Sequence, residues 1–302
     1  MKETIIRAQG LTRIYGRHRA LDGVDITINR GDICGLIGRN GAGKTTMLKI
    51  FTGLSIPDEG SYELFGKPGE QERGRIGCLI DSPAFFGNLS AHDNLKYYCI
   101  LKGITDLSKI DTALERVGLT NTGRKKYRNF SLGMKQRLGI ALAILDEPEL
   151  LILDEPINGL DPIGISDMRD LFIKLNEELG ITIVISSHIL SELYTLAGRF
   201  VFIEEGRILK DVSKEELEDE CKVSINITCN DLSRAAAVLE EQCGIRDYKI
   251  TDDRTVKVYD EVDENFLQER LREEGIGVMS TVRKGISLED YFKMLVGGKA
   301  NG

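Results

Sequence analysis

The chain has 302 residues, 41% of them apolar and 29% charged, with a formal net charge of −8 and six cysteines. This composition is typical of a globular protein of one large or two ordinary domains, and no apolar run approaches the roughly 18 residues that cross a bilayer. Since no two cysteines form a C-x-x-C pair, a zinc site or a disulfide framework is not expected.

A glycine-rich segment lies between a predicted strand, Ile33–Ile37, and a predicted helix, Thr46–Phe51, and reads G-R-N-G-A-G-K-T. The pattern G-x-x-x-x-G-K-[ST] is a phosphate-binding loop, in which backbone N–H groups surround an anionic phosphate chain. We expect Lys44 to reach the β- and γ-phosphates of a nucleotide and Thr45 to offer its hydroxyl to Mg²⁺. The phosphate-binding residues predicted here are Gly38, Arg39, Asn40, Gly41, Ala42, Gly43, Lys44, Thr45 and Thr46.

A second predicted strand, Leu150–Leu153, is apolar throughout and is followed by Asp154 and Glu155. Because the phosphate-binding loop lies upstream, Asp154 is expected to hold Mg²⁺ through the water shell of the ion. Glu155 is expected to polarise the water that attacks the γ-phosphate. A strand that happens to end in acidic residues is the alternative, and the phosphate-binding loop argues against it.

The order of elements predicts two domains. The first 210 residues alternate apolar runs with helical patterns, which predicts an α/β fold with a mostly parallel sheet. A charged segment at 211–220 is expected to be a linker or a short helix. Residues 211–302 contain 13 basic and 21 acidic side chains against 27 of each before position 211, so this part of the chain carries the net negative charge, which argues against a nucleic-acid footprint there.

The acidic domain is predicted to follow the order β-α-β-β-α-β, a ferredoxin-like α+β pattern, before a final helix at Ser287–Val296. Asp231 is a predicted helix N-cap. The predicted strands are Lys222–Thr228, Tyr248–Thr251, Thr255–Tyr259 and Val278–Val282, and the predicted helices are Asp231–Gln242 and Asn265–Glu274.

The segment Phe130–Leu138 reads F-S-L-G-M-K-Q-R-L. On its residues alone, Ser131 is a helix N-cap before an amphipathic helix. Beside the two motifs above, however, the segment resembles the signature of the ATP-binding-cassette (ABC) ATPases, L-S-G-G-Q at a helix start. Ser131 and Gly133 match that pattern, whereas Leu132 and Met134 depart from its commonest form. The resemblance implies a P-loop NTPase fold and a helix start that faces the γ-phosphate of ATP held by a second subunit.

Further residues fall in the order of the same family. The resemblance implies that Tyr15 stacks on adenine, and that Asp161, in the segment N-G-L-D, belongs to a loop at the interface of two subunits. It also implies that His188, at the end of a predicted strand, contacts the γ-phosphate and organises Glu155. Taken singly, Tyr15 and His188 each have a purely structural alternative.

Asp81 follows the apolar segment Ile76–Ile80, where the family usually has a glutamine that contacts Mg²⁺ and the attacking water. A carboxylate accepts hydrogen bonds from a metal-bound water but donates none. An acidic residue here, the following S-P-A-F-F and the late L-E-D-Y-F resemble the exporters linked to bacitracin and lantibiotic self-protection. The predicted catalytic residues are therefore Glu155, His188 and Asp81, and the predicted metal-binding residues are Thr45, Asp81 and Asp154.

The resemblance covers about residues 3–210 and implies a cassette at 1–210, with a helical subdomain at about 82–145 that docks on a membrane partner. The linker is placed at 211–220 and the accessory domain at 221–302. Aromatic residues of the subdomain either face that partner or fill the core, and a basic cluster is either a solvated face or a guide for nucleotide. These residues are Phe85, Phe86, Tyr97 and Tyr98, and Arg124, Lys125, Lys126 and Arg128.

The expected function is that of the ATP-hydrolysing subunit of an exporter, with ATP and Mg²⁺ as cofactors and peptide antibiotics as a possible cargo. Two copies, or one copy and a homologous subunit, would bind two Mg-ATP head to tail and drive a separate permease from the cytoplasmic face of the membrane. Importer subunits, ABC ATPases acting on nucleic acid or ribosomes, and non-hydrolysing regulators are the alternatives. A single cassette without sustained heptads argues against the second alternative, and the intact catalytic residues argue against the third.

Overall fold

The computed structural model describes residues 3–81, 84–260 and 262–297. Ser82 and Pro83, which contributed to the resemblance, lie outside the described residues, as do the outer ends of the two predicted domains. The chain divides into two compact units, one ending at Lys214 and the other beginning at Glu215. Each unit is described separately.

The first unit combines two sheets with six helices among its described residues. Its strands are β1 (Thr4–Tyr15), β2 (His18–Asn29), β3 (Ile33–Ile37), β4 (Glu59–Leu64), β5 (Lys67–Pro68), β6 (Ile76–Leu79), β7 (Leu150–Leu153), β8 (Thr182–Ser187), β9 (Arg199–Glu204) and β10 (Arg207–Ser213). Its helices are α1 (Lys44–Phe51), α2 (Ala91–Lys102), α3 (Ser108–Arg116), α4 (Leu132–Ala143), α5 (Pro162–Leu179) and α6 (Leu190–Tyr194).

A six-stranded sheet in the order β10-β9-β3-β8-β7-β6 forms the centre of this unit. All neighbouring strands are parallel except β9 and β10. Every residue of β7 and β8 is buried, as expected for parallel strands that are covered on both faces. Because β3, β7 and β8 run in the same direction, the segments that follow them meet at one edge of the sheet.

A second, antiparallel sheet has the order β2-β1-β4-β5. The strands β1 and β2 form a long hairpin from Thr4↔Asn29 to Tyr15↔His18, and β4 pairs with the other edge of β1. Its apolar side chains share a core with Met47 and Phe51 of α1. The alternation of elements predicted the parallel sheet but not this one, because antiparallel pairing of β1 with β4 joins segments about 50 residues apart.

The helices α2, α3 and α4 occupy the region predicted as a helical subdomain. Serine caps fix the starts of two of them: Ser90 Oγ accepts from the Asp93 N–H at 3.1 Å, and Ser131 Oγ accepts from the Met134 N–H at 3.3 Å. In the part of the chain that the structure describes, no helix combines the length and the apolar character that crossing a membrane requires.

The second unit shows the β-α-β-β-α-β order predicted from the sequence. Its elements are α7 (Lys214–Cys221), β11 (Ser224–Cys229), α8 (Leu232–Glu241), β12 (Tyr248–Ile250), β13 (Thr255–Val258), α9 (Glu264–Glu273), β14 (Val278–Lys284) and α10 (Leu288–Gly297). The sheet is antiparallel in the order β12-β13-β11-β14, and the strand residues Ile225 and Val258 share a core with Leu239 and Leu267 of the helices. Asp231 caps α8 as predicted, because its Oδ1 accepts from the Arg234 N–H at 3.0 Å.

The charged segment 211–220 forms the end of β10 and most of α7, so the short-helix alternative describes it better than an irregular linker. Two carboxylates of α7 accept hydrogen bonds from phenols of the second unit, one half-buried and one fully buried. Asp219 accepts from Tyr259, and Glu220 accepts from Tyr291 at 2.6 Å. Burial, reinforced by these hydrogen bonds, raises the pKa of both tyrosines, so the phenols stay protonated and α7 stays attached to the second unit.

Candidate active site

The phosphate-binding loop connects β3 to α1 at the edge where the parallel strands end. Gly43 has a φ of 110° and a Cβ at this position would lie 2.5 Å from the Ala20 carbonyl oxygen. A Cβ at Gly38 would lie 2.3 Å from the Ile203 carbonyl oxygen. The loop therefore needs glycine at both positions, and it leads directly into the N-terminus of α1, an end of a helix that is suited to an anion.

Lys44 is the most deeply buried charged residue of the site, with 5% of its side chain exposed. Its ammonium donates to the carbonyl oxygens of Gly38 at 2.7 Å and Arg39 at 3.2 Å, and it forms an ion pair with Glu155 Oε1 at 3.2 Å. All three of its donor positions are used, which offsets the cost of burying the charge. The predicted contact of this ammonium with the β- and γ-phosphates stays a prediction.

The first carboxylate after β7, that of Asp154, is held by two hydroxyl groups. Thr45 Oγ1 donates to its Oδ2 at 2.6 Å, and Ser186 Oγ donates to its Oδ1 at 2.6 Å. The same Ser186 oxygen accepts from the Glu155 N–H at 2.9 Å. Ser186 was not predicted as a site residue. Its signal in the sequence was its place in a buried strand, two residues before His188.

Glu155 connects the two sides of the site. Its Oε1 pairs with Lys44, and its Oε2 lies 2.9 Å from Nδ1 of His188. Because a carboxylate only accepts, this contact requires a proton on Nδ1. The backbone of Glu155 has a φ of 48°, an uncommon left-handed conformation for a residue other than glycine. Such conformations often occur where a side chain must be aimed at a ligand.

A cavity of about 290 Å³ opens beside the loop. The residues that line it are Tyr15, His18, Ala20, Arg39, Asn40, Gly41, Gly43, Lys44, Thr45, Thr46 and Glu155. Tyr15 is half-exposed, its hydroxyl lies 3.4 Å from Ser55 Oγ, and the Arg13 guanidinium lies 4.8 Å from its ring centroid. An exposed ring held in this way provides a flat surface on which a base can stack. His18 and Ala20 were missed, because only the β1–β2 hairpin brings them to the cavity.

A second cavity, of about 710 Å³, contains the signature residues. It is lined by Ser131, Leu132, Gly133 and Met134 together with Asp161 and neighbouring residues of α5. Asp161 caps α5, since its Oδ1 accepts from the Gly164 N–H at 3.0 Å. The starts of α4 and α5 thus face one cavity, and none of its lining residues also lines the first cavity. The predicted residues therefore form two separate groups on one chain.

Asp81 lies apart from both groups of contacts described above. It follows β6 with a φ of 59°, and its side chain is 72% exposed. Its carboxylate forms an ion pair with Lys49 of α1, with 3.1 Å between Nζ and Oδ2. The predicted role of Asp81 at the metal stays a prediction.

The chemistry of the donor set fits Mg²⁺. The hydroxyl of Thr45 and the carboxylate of Asp154 are hard oxygen ligands that already lie within 2.6 Å of each other. Mg²⁺ is usually held by one or two such ligands together with substrate phosphates. Among the described residues, no group of three or more histidine, cysteine or acidic side chains forms a closed metal cage.

The ABC transporter family model matches residues 21–158. The chain is 42% identical over 300 residues to the bacitracin transport ATP-binding protein BcrA of Bacillus licheniformis, a match that covers 98% of each protein and so includes both units. It is 45% identical over 206 residues to the lantibiotic transport ATP-binding protein SrtF of Streptococcus pyogenes, covering 68% of this chain and 89% of that one.

Among solved structures, cbiO1 from Clostridium perfringens, part of the ABC transporter complex cbiONQ, matches with a TM-score of 0.67 and 26% identity. The match covers 80% of this chain and 97% of that one. The predicted P-loop NTPase fold is thereby confirmed. With its phosphate-binding loop, paired carboxylates and signature helix, the chain belongs to the ABC transporter family and is an ATP-binding-cassette ATPase.

Proposed function

We propose that this chain is the nucleotide-binding subunit of an exporter, working as a dimer around two Mg-ATP. The observation that carries the proposal is a pair of contact chains at one sheet edge. One runs from Lys44 through Glu155 to His188, and the other from Thr45 through Asp154 to Ser186. Together they hold a phosphate-binding cation, a metal-binding carboxylate and a candidate base within hydrogen-bonding reach of one another.

The roles of these residues follow from their contacts. Thr45 and Asp154 would hold Mg²⁺, which neutralises charge on the β- and γ-phosphates. An incoming phosphate chain competes with Glu155 for the Lys44 ammonium, because both are anions and the ammonium is buried. Glu155 then keeps its contact with His188 Nδ1 while its other oxygen becomes available to polarise a water molecule. His188 thereby orients the base.

The separation of the two cavities supports a dimer. The start of α4, with Ser131 and Gly133, offers N–H groups and a hydroxyl, which are suited to an anion. In the proposed dimer each ATP lies between the loop Gly38–Thr46 of one copy and the segment Ser131–Gly133 of the other, and Asp161 lies at this two-fold interface. Closure on ATP and release after hydrolysis provide the two states that drive a partner.

The helical segment supplies a candidate surface for the permease. Phe86 and Tyr97 pack edge to face with 4.8 Å between ring centroids, and both remain partly exposed. Tyr97 belongs to α2, and on this helix Ile100 and Leu101 are also largely exposed. Exposed apolar patches of this kind mark interaction sites. We place the chain on the inner face of the cell membrane. The names of its relatives support peptide antibiotics as cargo.

Purification of a tagged chain from membranes tests this proposal. The expected result is a co-purifying membrane protein with several spanning helices. The double variant Ile100→Asp, Leu101→Asp is expected to lose that partner while keeping its affinity for ATP. The matched control Lys174→Asp changes a residue of α5 outside the patch and is expected to retain the partner. Recovery of the chain with ribosomes or nucleic acid, and without a membrane protein, would contradict the proposal.

A further inference from the structure

One ion pair joins the phosphate-loop helix to the segment that leads toward α2. Lys49 lies in the last turn of α1, five residues after Lys44, and Asp81 lies two residues beyond the end of β6. Their charged atoms are 3.1 Å apart, with 33% of the lysine side chain and 72% of the aspartate side chain exposed. An exposed pair of this kind adds little to folding stability. We therefore consider the effect of this ion pair on the position of the Asp81 side chain rather than on stability.

The charge of Lys49 also acts on Tyr15, the residue predicted to stack on adenine. Hydrogen bonds from Ser55 and Arg13 lower the pKa of Tyr15, and the positive charge of Lys49 acts in the same direction. One cation is thus within electrostatic reach of both Tyr15 and Asp81, two residues expected to be near bound nucleotide. No motif used in the sequence analysis includes Lys49.

The charge balance at this position differs from that of a cassette with glutamine. In the predicted role at the metal, Asp81 would add a negative charge to a site that already contains Asp154 and Glu155 and that binds the phosphates of ATP. Like charges at short range repel one another, so an unpaired carboxylate would be driven away from the site. A neighbouring cation removes most of that repulsion and also fixes the direction of the side chain. Glutamine is neutral and needs no such partner.

We propose that Lys49 is a positioning residue for Asp81: it neutralises the carboxylate and ties the phosphate-loop helix to the segment that enters the helical subdomain. The inference rests on the proposed function, in which that subdomain contacts the permease. In this arrangement a movement of α1 on nucleotide binding is transmitted through the Lys49–Asp81 ion pair.

The experiment uses the full chain with Phe86→Trp as a common background. The natural sequence has no tryptophan, so this residue is a single fluorescent reporter five positions after Asp81. The variants are Lys49→Met, Lys49→Arg, Asp81→Lys and the charge swap Lys49→Asp with Asp81→Lys. A matched control exchanges the charges of another exposed ion pair, Lys102→Asp with Asp146→Lys. Its charged atoms are also 3.1 Å apart, and its side chains are 43% and 39% exposed. Unfolding midpoints equal to the parent's are required before activities are compared.

Lys49→Met is expected to lower kcat about tenfold and to remove the fluorescence change on Mg-ATP addition. Its nucleotide affinity should stay within about threefold of the parent, because the phosphate-binding loop is unchanged. Lys49→Arg should retain both signals. Asp81→Lys should lose both signals. The charge swap should recover the fluorescence change, because it restores the ion pair, but not kcat, because it removes the carboxylate predicted to act at the metal. The Lys102–Asp146 reversal should change neither signal.

Two results would overturn the inference. One is a parental kcat and fluorescence response in Lys49→Met. The other is a charge swap whose fluorescence response is as defective as that of Asp81→Lys alone, which would mean that the ion pair does not connect the two segments. Failure of the proposed function is distinguishable from both, because it would appear in the unsubstituted chain as an absence of the permease from membrane purifications.

Discussion

Ser186→Ala removes one hydroxyl from the end of β8 and leaves two groups without their partner. Asp154 loses a donor at 2.6 Å, and the Glu155 N–H loses an acceptor at 2.9 Å. Ser186 is fully buried, so water does not simply take its place. A hydrogen bond to a charged group contributes about 1.5–3 kcal/mol, and a buried donor left unpaired costs about 1–3 kcal/mol. Allowing for non-additivity, we expect the free energy of unfolding to fall by about 2–4 kcal/mol.

The neighbouring Ser187 provides a matched control. It is also fully buried. Its hydroxyl donates to the carboxylate of Glu192 at 2.9 Å and accepts from the backbone N–H of Ile189 at 3.0 Å. Ser187→Ala should therefore destabilise the chain by a similar amount. Only Ser186, however, contacts both acidic residues of the candidate active site: the carboxylate of Asp154 and the backbone N–H of Glu155.

The assay combines urea unfolding with ATP turnover at saturating Mg-ATP, at a temperature where both variants are folded. Ser186→Ala should lower kcat at least about tenfold, equivalent to about 1.4 kcal/mol, because Asp154 and Glu155 lose their shared support. Ser187→Ala should keep kcat within about threefold of the parent. Equal losses of kcat in the two variants would show that activity follows stability alone, and a parental kcat in Ser186→Ala would refute the positioning argument.

Glu155→Gln is expected to bind ATP, to lose at least about a hundredfold in turnover and to accumulate as an ATP-dependent dimer in sedimentation, because an amide is a poor base; near-parental turnover would remove Glu155 from that role. Lys44→Ala should weaken binding of a fluorescent nucleotide, and an unchanged affinity would mean that the loop does not bind phosphate as described. A chain ending after Lys214 should keep its nucleotide affinity, because residues up to Met168 line both cavities; a loss of more than about a hundredfold, ~2.7 kcal/mol, would place part of the site in the second unit. Hydrogen bonds, first from Arg75, lower the pKa of Glu149 to about 2, so its ion pairs stabilise the fold above about pH 4.5 and are lost as the pH falls toward 2. Acid unfolding of Glu149→Gln should therefore depend less on pH than that of the parent in this range, by a modest amount because the side chain is partly exposed and screened; identical profiles would exclude this contribution.

The parts of the fold that the sequence predicted well are those determined by local pattern. The strands β3 and β7 begin and end as predicted, because a strand buried on both faces is a continuous apolar run. Asp231 was identified as a cap because the capping bond lies within three residues of the chain. In the candidate site, the phosphate-binding loop around Lys44 was also predicted from the sequence, since its glycines and its lysine lie within one short segment.

The parts that were missed depend on contacts between distant segments. Ser186 meets Asp154 because β8 lies beside β7 with Ile185 opposite Leu153, and a serine in an apolar run shows nothing of that register. His18 reaches the nucleotide cavity only through a hairpin. Lys49 and Asp81 are 32 positions apart and meet only because β6 ends near the last turn of α1. Pattern alone identifies the chemical groups, and topology decides which of them touch.

The two cavities of a single chain have a genetic consequence under the proposed dimer. Each composite site combines the phosphate-binding loop of one subunit with the signature helix of the other. A subunit that is defective in either element therefore inactivates one of the two sites when it pairs with a normal subunit. When a defective copy is produced beside an equal amount of the normal protein, only about a quarter of randomly formed dimers are fully intact. If one complete site is enough, two different inactive alleles complement each other, because a Lys44 variant paired with a Ser131 variant assembles one complete site from the two undamaged halves. An inactive allele of this gene is therefore expected to be dominant over the wild type if both sites are required, and to be rescued by the opposite inactive allele if one site is enough.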